Sequence, residues 1–181
     1  MDSSTVGPDT PRELAPEAQA KGLTFVDAPV TGAVPAARAG TLTFLVGGTE
    51  AEYNAVKPIL LGMGKNIVHC GATGTGQVAK ICNNMCLAIN MISTAETLML
   101  AKRLGLSPKL MNDILNIISG RSWCSEIYCP LQVSLKTYRP ITTMTEDSWS
   151  SLLPRTWVWL NTRPLKLSIF YLLGLKHIKS T

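Results

Sequence analysis

The stretch that decides the fold is "NIVHCGATGTGQVAKICNNM", residues 66–85. A short β-like run, Asn66 to Cys70, feeds a glycine cluster, and the cluster opens a long helical pattern. Gly74-Thr75-Gly76-Gln77-Val78-Ala79 fits G-x-G-x-x-A, the spacing of a phosphate-binding turn. Such a turn needs a second strand after its helix, with an acidic residue about 20 positions on. Here the helix continues instead, and the acid at that distance, Glu96, sits in its middle. The cluster therefore reads as a glycine-rich helix entrance.

Lys80 and Asn84 follow the entrance at i and i+4, so they share a helix face. An ammonium beside an amide, close to glycine-lined backbone, can grip and deprotonate a small oxygen-bearing ligand. The same pair also suits an ordinary solvated helix surface. Val78, Ile81, Cys82, Met85, Ile89, Ile92 and Met99 recur at three- and four-residue steps. The run reaches Leu104, about 28 residues and roughly 42 Å of helix. Gly105 breaks it, and "SPKLMNDILNIIS" starts a second helix with Ser107 as cap and Pro108 at its first position. Residues 71–120 read as all-helical.

Upstream the pattern is mixed. "PRELAPEAQAKG" reads as a helix that Asp9 or Thr10 caps and Gly22 ends. "LTFVDAPV" and "TLTFLVGG" read as strands. "TEAEYNAVKPILLGMG" is a helix capped by Thr49, with Pro58 kinking it or ending its first segment. With "NIVHC" as a third strand, this is an α/β layer with a mostly parallel sheet. It has too few elements for a complete nucleotide-binding sheet. Between the first two strands lies "DAPVTGAVPAARAG", residues 27–40. Its small-residue loop at Thr31, Gly32 and Ala33 offers successive N–H groups and a hydroxyl, which suits a carboxylate. An ordinary strand-to-helix turn has the same composition.

Composition sets limits. The chain of 181 residues, 46% hydrophobic, suits one domain or two small ones. No run of eighteen apolar residues exists, and no signal peptide or arginine-rich transit segment precedes the first pattern. The five cysteines lack zinc-ligand spacing and read as free thiols in a reducing compartment, so no metal site is expected. The net charge of +5 is uneven: residues 1–129 hold ten basic and ten acidic residues, residues 130–181 seven and two. The later segment also holds three of the four tryptophans and one of the fourteen glycines, which puts a boundary near residue 130. No binding module accompanies the excess charge, so a nucleic-acid partner is not expected.

Two of these segments, in order, carry a resemblance. "DAPVTGAVPAARAGTLTFLVGG" is similar to the substrate-binding signature of the β-hydroxyacid dehydrogenases. "GATGTGQVAKICNN" is similar to their lysine signature, G-x-x-G-x-G-x-x-x-K-x-x-x-N. "AKICNNMCLAINMISTAE" with "LGLSPKLMNDILNIISGRSW" resembles the 3-hydroxyisobutyrate branch of that family. The resemblance runs from Asp2 to about Pro130. It implies an NAD-dependent oxidoreductase that takes 3-hydroxyisobutyrate to methylmalonate semialdehyde in valine breakdown. It further implies that Lys80 is the catalytic acid/base, that Thr31, Gly32, Ala33 and Asn84 bind the substrate, and that Thr5 lies near the nicotinamide. Its members are homo-oligomers of the mitochondrial matrix, with a small 3-hydroxy acid as substrate and no membrane partner.

The departures carry expectations too. The family has Ser-Gly-Gly where this chain has Thr31-Gly32-Ala33, so Ala33 puts a β-carbon where positive φ or close approach is needed. The chain opens at "MDSST". Residues 1–70 then correspond to the end of a Rossmann-type domain and residues 71–129 to part of an all-α domain opened by an interdomain helix. The amino-terminal cofactor half and a presequence are expected to be missing, which places a chain expressed alone in the cytosol. Residues 154–161 read "PRTWVWLN", and codons for it shifted to the third base spell Lys-Asp-Leu-Gly-Leu-Ala-Gln, a family motif. Residues 130–181 are therefore expected to be a frame-shifted, poorly ordered tail. Such a chain is expected to be monomeric or aggregation-prone and to have little dehydrogenase activity alone. The alternative to an enzyme is a catalytically inactive isoform that pairs with full-length subunits.

Overall fold

The computed structural model describes residues 1–129. The element order is α1 (Asp9–Ala20), β1 (Val30–Thr31), α2 (Ala33–Arg38), β2 (Leu42–Gly47), α3 (Glu50–Leu61), β3 (Gly64–Gly71), α4 (Thr75–Arg103), α5 (Pro108–Leu115) and α6 (Trp123–Glu126). The tail expected over residues 130–181 lies outside the described residues.

The sheet orders as β1-β2-β3, with β1 antiparallel and β3 parallel to β2. Beyond β1 an isolated parallel bridge joins Asp2 to Asp27. The expected parallel character thus holds on both flanks, and the centre is antiparallel. "LTFVDAPV" does not form one continuous strand, and Pro29 is the reason. Asp27 exchanges both ladder bonds with Gly47, at 3.2 and 2.8 Å, and Val30 and Thr31 pair with Phe44 and Thr43 in the same register. Between them Leu45 N–H reaches Pro29 O at 3.0 Å, but Pro29 has no N–H to return to the Leu45 carbonyl. That carbonyl is met by α4 instead, as described below.

The helices follow local chemistry in most places. Thr49 caps α3 and forms a reciprocal capping box with Glu52. Pro58 lies inside α3 without ending it; the carbonyl it leaves unpaired belongs to Asn54, an exposed residue that water can serve. Neither Asp9 nor Thr10 caps α1: Pro8 is its N-cap and both lie within the helix. Ser107 occupies the N-cap of α5, with Pro108 in the first turn, but its side chain makes no capping bond.

Two cores result. Val26, Ala28, Phe44, Val46 and Leu60 bury the space between the sheet and α3. Leu98, Leu115 and Cys129, with Met111, join α4 to α5. Helix α4 has 29 residues, close to the expected length, but its buried face is not the expected one. Of the apolar series that the spacing picked out, Ile81 is buried, Met85 and Met99 are half-buried, and Val78, Cys82, Ile89 and Ile92 are exposed. The buried face runs through Gly76, Gln77, Ile81, Met91, Thr94, Leu98 and Ala101. Its period is helical, but small and polar residues carry it where the helix meets the sheet. Among the described residues no helix is long and apolar enough to cross a membrane, and no group of three metal-binding side chains occurs.

Candidate active site

The site is assembled where α4 meets the sheet. Gly74 is the N-cap of α4, at φ +89°, and without a side chain it cannot accept the first free N–H groups of the helix. A carboxylate from the sheet does so. Asp27, fully buried, accepts from Gly74 N–H at 2.7 Å through Oδ1 and from Gln77 N–H at 3.1 Å through Oδ2. The fit is close on every side. A β-carbon on Gly47 would run into the Asp27 carboxylate, and one on Gly76 would run into the Leu45 carbonyl that Pro29 leaves unpaired. Sequence reasoning missed Asp27. The available signal was an acidic residue in an otherwise apolar strand, together with a helix start that has no capping side chain of its own.

Gln77 binds a second segment. Its Nε2 donates to Ser4 O at 2.8 Å, and its Oε1 accepts from Val6 N–H at 3.1 Å. These backbone groups flank Thr5, so the buried amide acts like the neighbouring strand of a ladder and fixes the Ser3–Thr5 turn to α4.

Lys80 lies one turn beyond Gln77. It is half-buried, and burial holds its amine below the ordinary lysine value. Asn84, also half-buried, follows one turn later on the same face. Thr31 ends β1, and Gly32 (φ +129°) and Ala33 (φ +53°) carry the chain into α2. Ala33 is the one non-glycine residue at positive φ among the described residues, as its departure from Ser-Gly-Gly led us to expect. From Asp27 to Thr31 is four residues, at most about 13 Å of strand. From Gln77 to Lys80 is three, about 4.5 Å of helix. The Thr31–Ala33 turn and the lysine therefore extend from one shared anchor. Among the described residues no ion pair engages Lys80, and no side-chain hydrogen bond engages Thr5, Thr31 or Asn84.

The left-handed backbone at Ala33 costs roughly 1 kcal/mol that glycine would not incur. Ala33→Gly is expected to raise the urea midpoint only slightly, because about 1 kcal/mol of strain relief is offset by roughly 0.4–1 kcal/mol of added entropy in the unfolded chain. Gly32→Ala is expected to lower it, because a β-carbon there would lie 2.6 Å from Ala36 Cβ. The cysteines are free, as the sequence suggested. Burial, and then the neighbouring Cys86 and Cys129 thiols, push the Cys124 thiol up to about 11. In the native protein iodoacetamide is expected to modify exposed Cys82 and Cys86 and to spare buried Cys124, as peptide mapping would read out.

A Rossmann-like layer feeds one long helix, with a lysine in the second turn of that helix and a positive-φ turn beside the strand, which is the arrangement the resemblance to the β-hydroxyacid dehydrogenases implies. The family model for the NAD binding domain of 6-phosphogluconate dehydrogenase matches residues 1–71. That for the NAD-binding domain of NADP-dependent 3-hydroxyisobutyrate dehydrogenase matches residues 74–147. Over 72% of its length the chain is similar to the 3-hydroxyisobutyrate dehydrogenases. It is 57% identical over 131 residues to the mitochondrial human 3-hydroxyisobutyrate dehydrogenase, covering 72% of this chain and 39% of that protein. To the Pseudomonas aeruginosa 3-hydroxyisobutyrate dehydrogenase it is 49% identical over 130 residues, covering 72% and 44%. The structure of the Mycobacterium tuberculosis 3-hydroxyisobutyrate dehydrogenase with L-serine superposes with a TM-score of 0.74 at 33% identity, covering 98% of this chain and 59% of that one. The chain spans about two-fifths of the length of the mitochondrial relatives it matches.

Proposed function

We propose that this chain carries the acid-binding and proton-transfer part of a 3-hydroxyisobutyrate dehydrogenase of valine breakdown, mitochondrial like the relatives whose names say so. Residues 1–70 form the end of the nucleotide-binding domain and residues 71–129 the opening of a helical one. The observation that carries this reading is the half-buried amine of Lys80, held below its ordinary value on a helix whose start is bonded to Asp27, four residues ahead of the Thr31–Ala33 turn.

The described residues fit one end of a nicotinamide dinucleotide. A pyrophosphate cradle is not among them: the Gly74 and Gln77 N–H groups are taken by Asp27, and a β-carbon at Gly74 would lie 2.7 Å from Pro8 O, so that glycine serves packing. The nicotinamide end has a match in Thr5, half-buried between Ser4 and Val6, whose backbone groups Gln77 binds. The cofactor supplies a hydride acceptor. The chain supplies the rest. Thr31 hydroxyl and the Gly32 and Ala33 amides hold the substrate carboxylate. Asn84 orients the substrate hydroxyl. Neutral Lys80 takes the hydroxyl proton as the carbon–hydrogen bond breaks and returns it in the reverse direction. A lysine at its ordinary value is almost wholly charged near neutral pH and a poor base there, which is why its burial matters.

The test, which sets this reading against the little activity that the sequence led us to expect of the chain alone, is turnover of 3-hydroxyisobutyrate and of its methyl ester by the purified protein with a nicotinamide dinucleotide, followed by reduced-nicotinamide absorbance. The acid is expected to react and the ester, which lacks the charge the Thr31–Ala33 turn binds, to react at least about tenfold more slowly. Equal rates, or no turnover of the acid, would contradict the reading.

A further inference from the structure

We infer that Asp27 is the positioning residue of this site, setting the depth at which Lys80 sits on the sheet; the inference rests on the lysine role proposed above. Three observations carry it. First, the Asp27 carboxylate is fully buried and both of its oxygens are engaged by backbone N–H groups of the α4 entrance, Gly74 at 2.7 Å and Gln77 at 3.1 Å. Second, α4 has no capping side chain of its own, so the free N–H groups of its first turn find their acceptor in the sheet. Third, the space around the carboxylate is closed by Gly47 and Gly76, neither of which can carry a β-carbon without striking it or the Leu45 carbonyl. Asp27 thus joins three pieces of chain. Its backbone pairs with Gly47 on one side and Asp2 on the other, and its side chain holds α4.

The consequence for Lys80 is one of hydration. The lysine is a single helical turn beyond Gln77, so an α4 entrance lifted from the sheet would admit water to its amine. Burial is what lowers the Lys80 amine, with no contribution from a neighbouring charge. Loss of the Asp27 anchor therefore acts in one direction, toward the ordinary lysine value. Gln77 extends the same device: its backbone is gripped by Asp27 while its side chain grips the Thr5 turn, so one carboxylate sets Lys80, Thr5 and Thr31 in common register.

The experiment is the pH dependence of Lys80 acylation by a water-soluble amine reagent, read by peptide mass spectrometry on the purified chain. It needs no turnover. The parent, Asp27→Asn, Asp27→Ala and Leu60→Ala are compared; Leu60 is fully buried in the sheet–α3 core, away from the α4 entrance. The parent is expected to titrate below the ordinary lysine value. Asp27→Ala should move the midpoint upward, and Asp27→Asn, which keeps one acceptor oxygen and sets an NH₂ group against the other N–H, should move it part of the way. Leu60→Ala should lower stability and leave the midpoint in place. If Asp27→Ala does not fold, the Asp27→Asn shift alone decides. A low parent midpoint that both Asp27 variants retain, or that Leu60→Ala shifts equally, overturns the positioning role and leaves the lysine role standing. An ordinary midpoint in the parent removes both.

Discussion

Lys80→Ala is expected to lower kcat for 3-hydroxyisobutyrate by about 10²–10⁴-fold, the usual contribution of a placed acid/base, with KM changed far less. In the proposed reading proton removal is asked of this amine alone, while the turn at Thr31–Ala33 holds the carboxylate. Lys80→Arg should behave like alanine, because a guanidinium keeps its proton at any working pH. In the parent the rate should rise with pH through the Lys80 midpoint, since the unprotonated amine is the base. The sign for stability follows from the same group. Its folded pKa is lowered, so at pH below that value both folded and unfolded chains are protonated there and the penalty for burying the charge is fully present. Between the folded value and the ordinary one the unfolded chain binds the extra proton, and stability rises with pH. Lys80→Met should therefore stabilise the protein at neutral pH while removing activity, a trade readable by urea titration beside the kinetic assay.

Gly76→Ala is the second large effect. A β-carbon at this position would meet the Leu45 carbonyl and lie 2.8 Å from Asp27 Oδ2, so neither neighbour is a flexible side-chain end that can move aside. Helix α4 must lift, and the Asp27 bonds to Gly74 and Gln77 lengthen with it. We expect about 3 kcal/mol of destabilisation, the upper part of the range for overpacking. Gly105→Ala provides the comparison. It sits at φ +88° with open space around its Cα, so only backbone strain of about 1 kcal/mol applies. Equal urea midpoints for the two variants would mean that Gly76 is not pressed against the sheet.

These effects converge on Leu45 and Asp27, which the sequence does not advertise. What it does advertise is local. The strand in "TLTFLVGG", the Thr49 cap and the glycine-rich start of α4 each depend on a few neighbouring residues, and each was legible. The length of α4 was legible too, because nothing breaks its pattern before Gly105. The phase of α4 was not. Isoleucines and methionines on a helix outnumber the positions the sheet can cover, and the face that docks is chosen by Gly76 and Gln77, whose roles are close approach and hydrogen bonding. Pro29 shows the same limit. In the sequence it is only one residue of the strand read from "LTFVDAPV", yet its missing N–H leaves the Leu45 carbonyl for Gly76 to pack on, a consequence that needs the register with β2 to be known. Among the candidate site residues, Lys80, Asn84, Thr31, Gly32 and Ala33 came from motif spacing. Asp27 and Gln77 came from tertiary contact alone, separated by 50 residues in the chain.

In the proposed function Lys80 and the Thr31–Ala33 turn meet on one small ligand. Its most direct test is a titration of the isotope-labelled protein with 3-hydroxyisobutyrate, followed by amide and side-chain NMR shifts. The backbone amides of Thr31, Gly32 and Ala33 and the side chains of Lys80 and Asn84 should move together with a single dissociation constant. Shifts at the turn without the lysine, or a response centred on the groove between Arg12, Gln19 and Glu52, would contradict it.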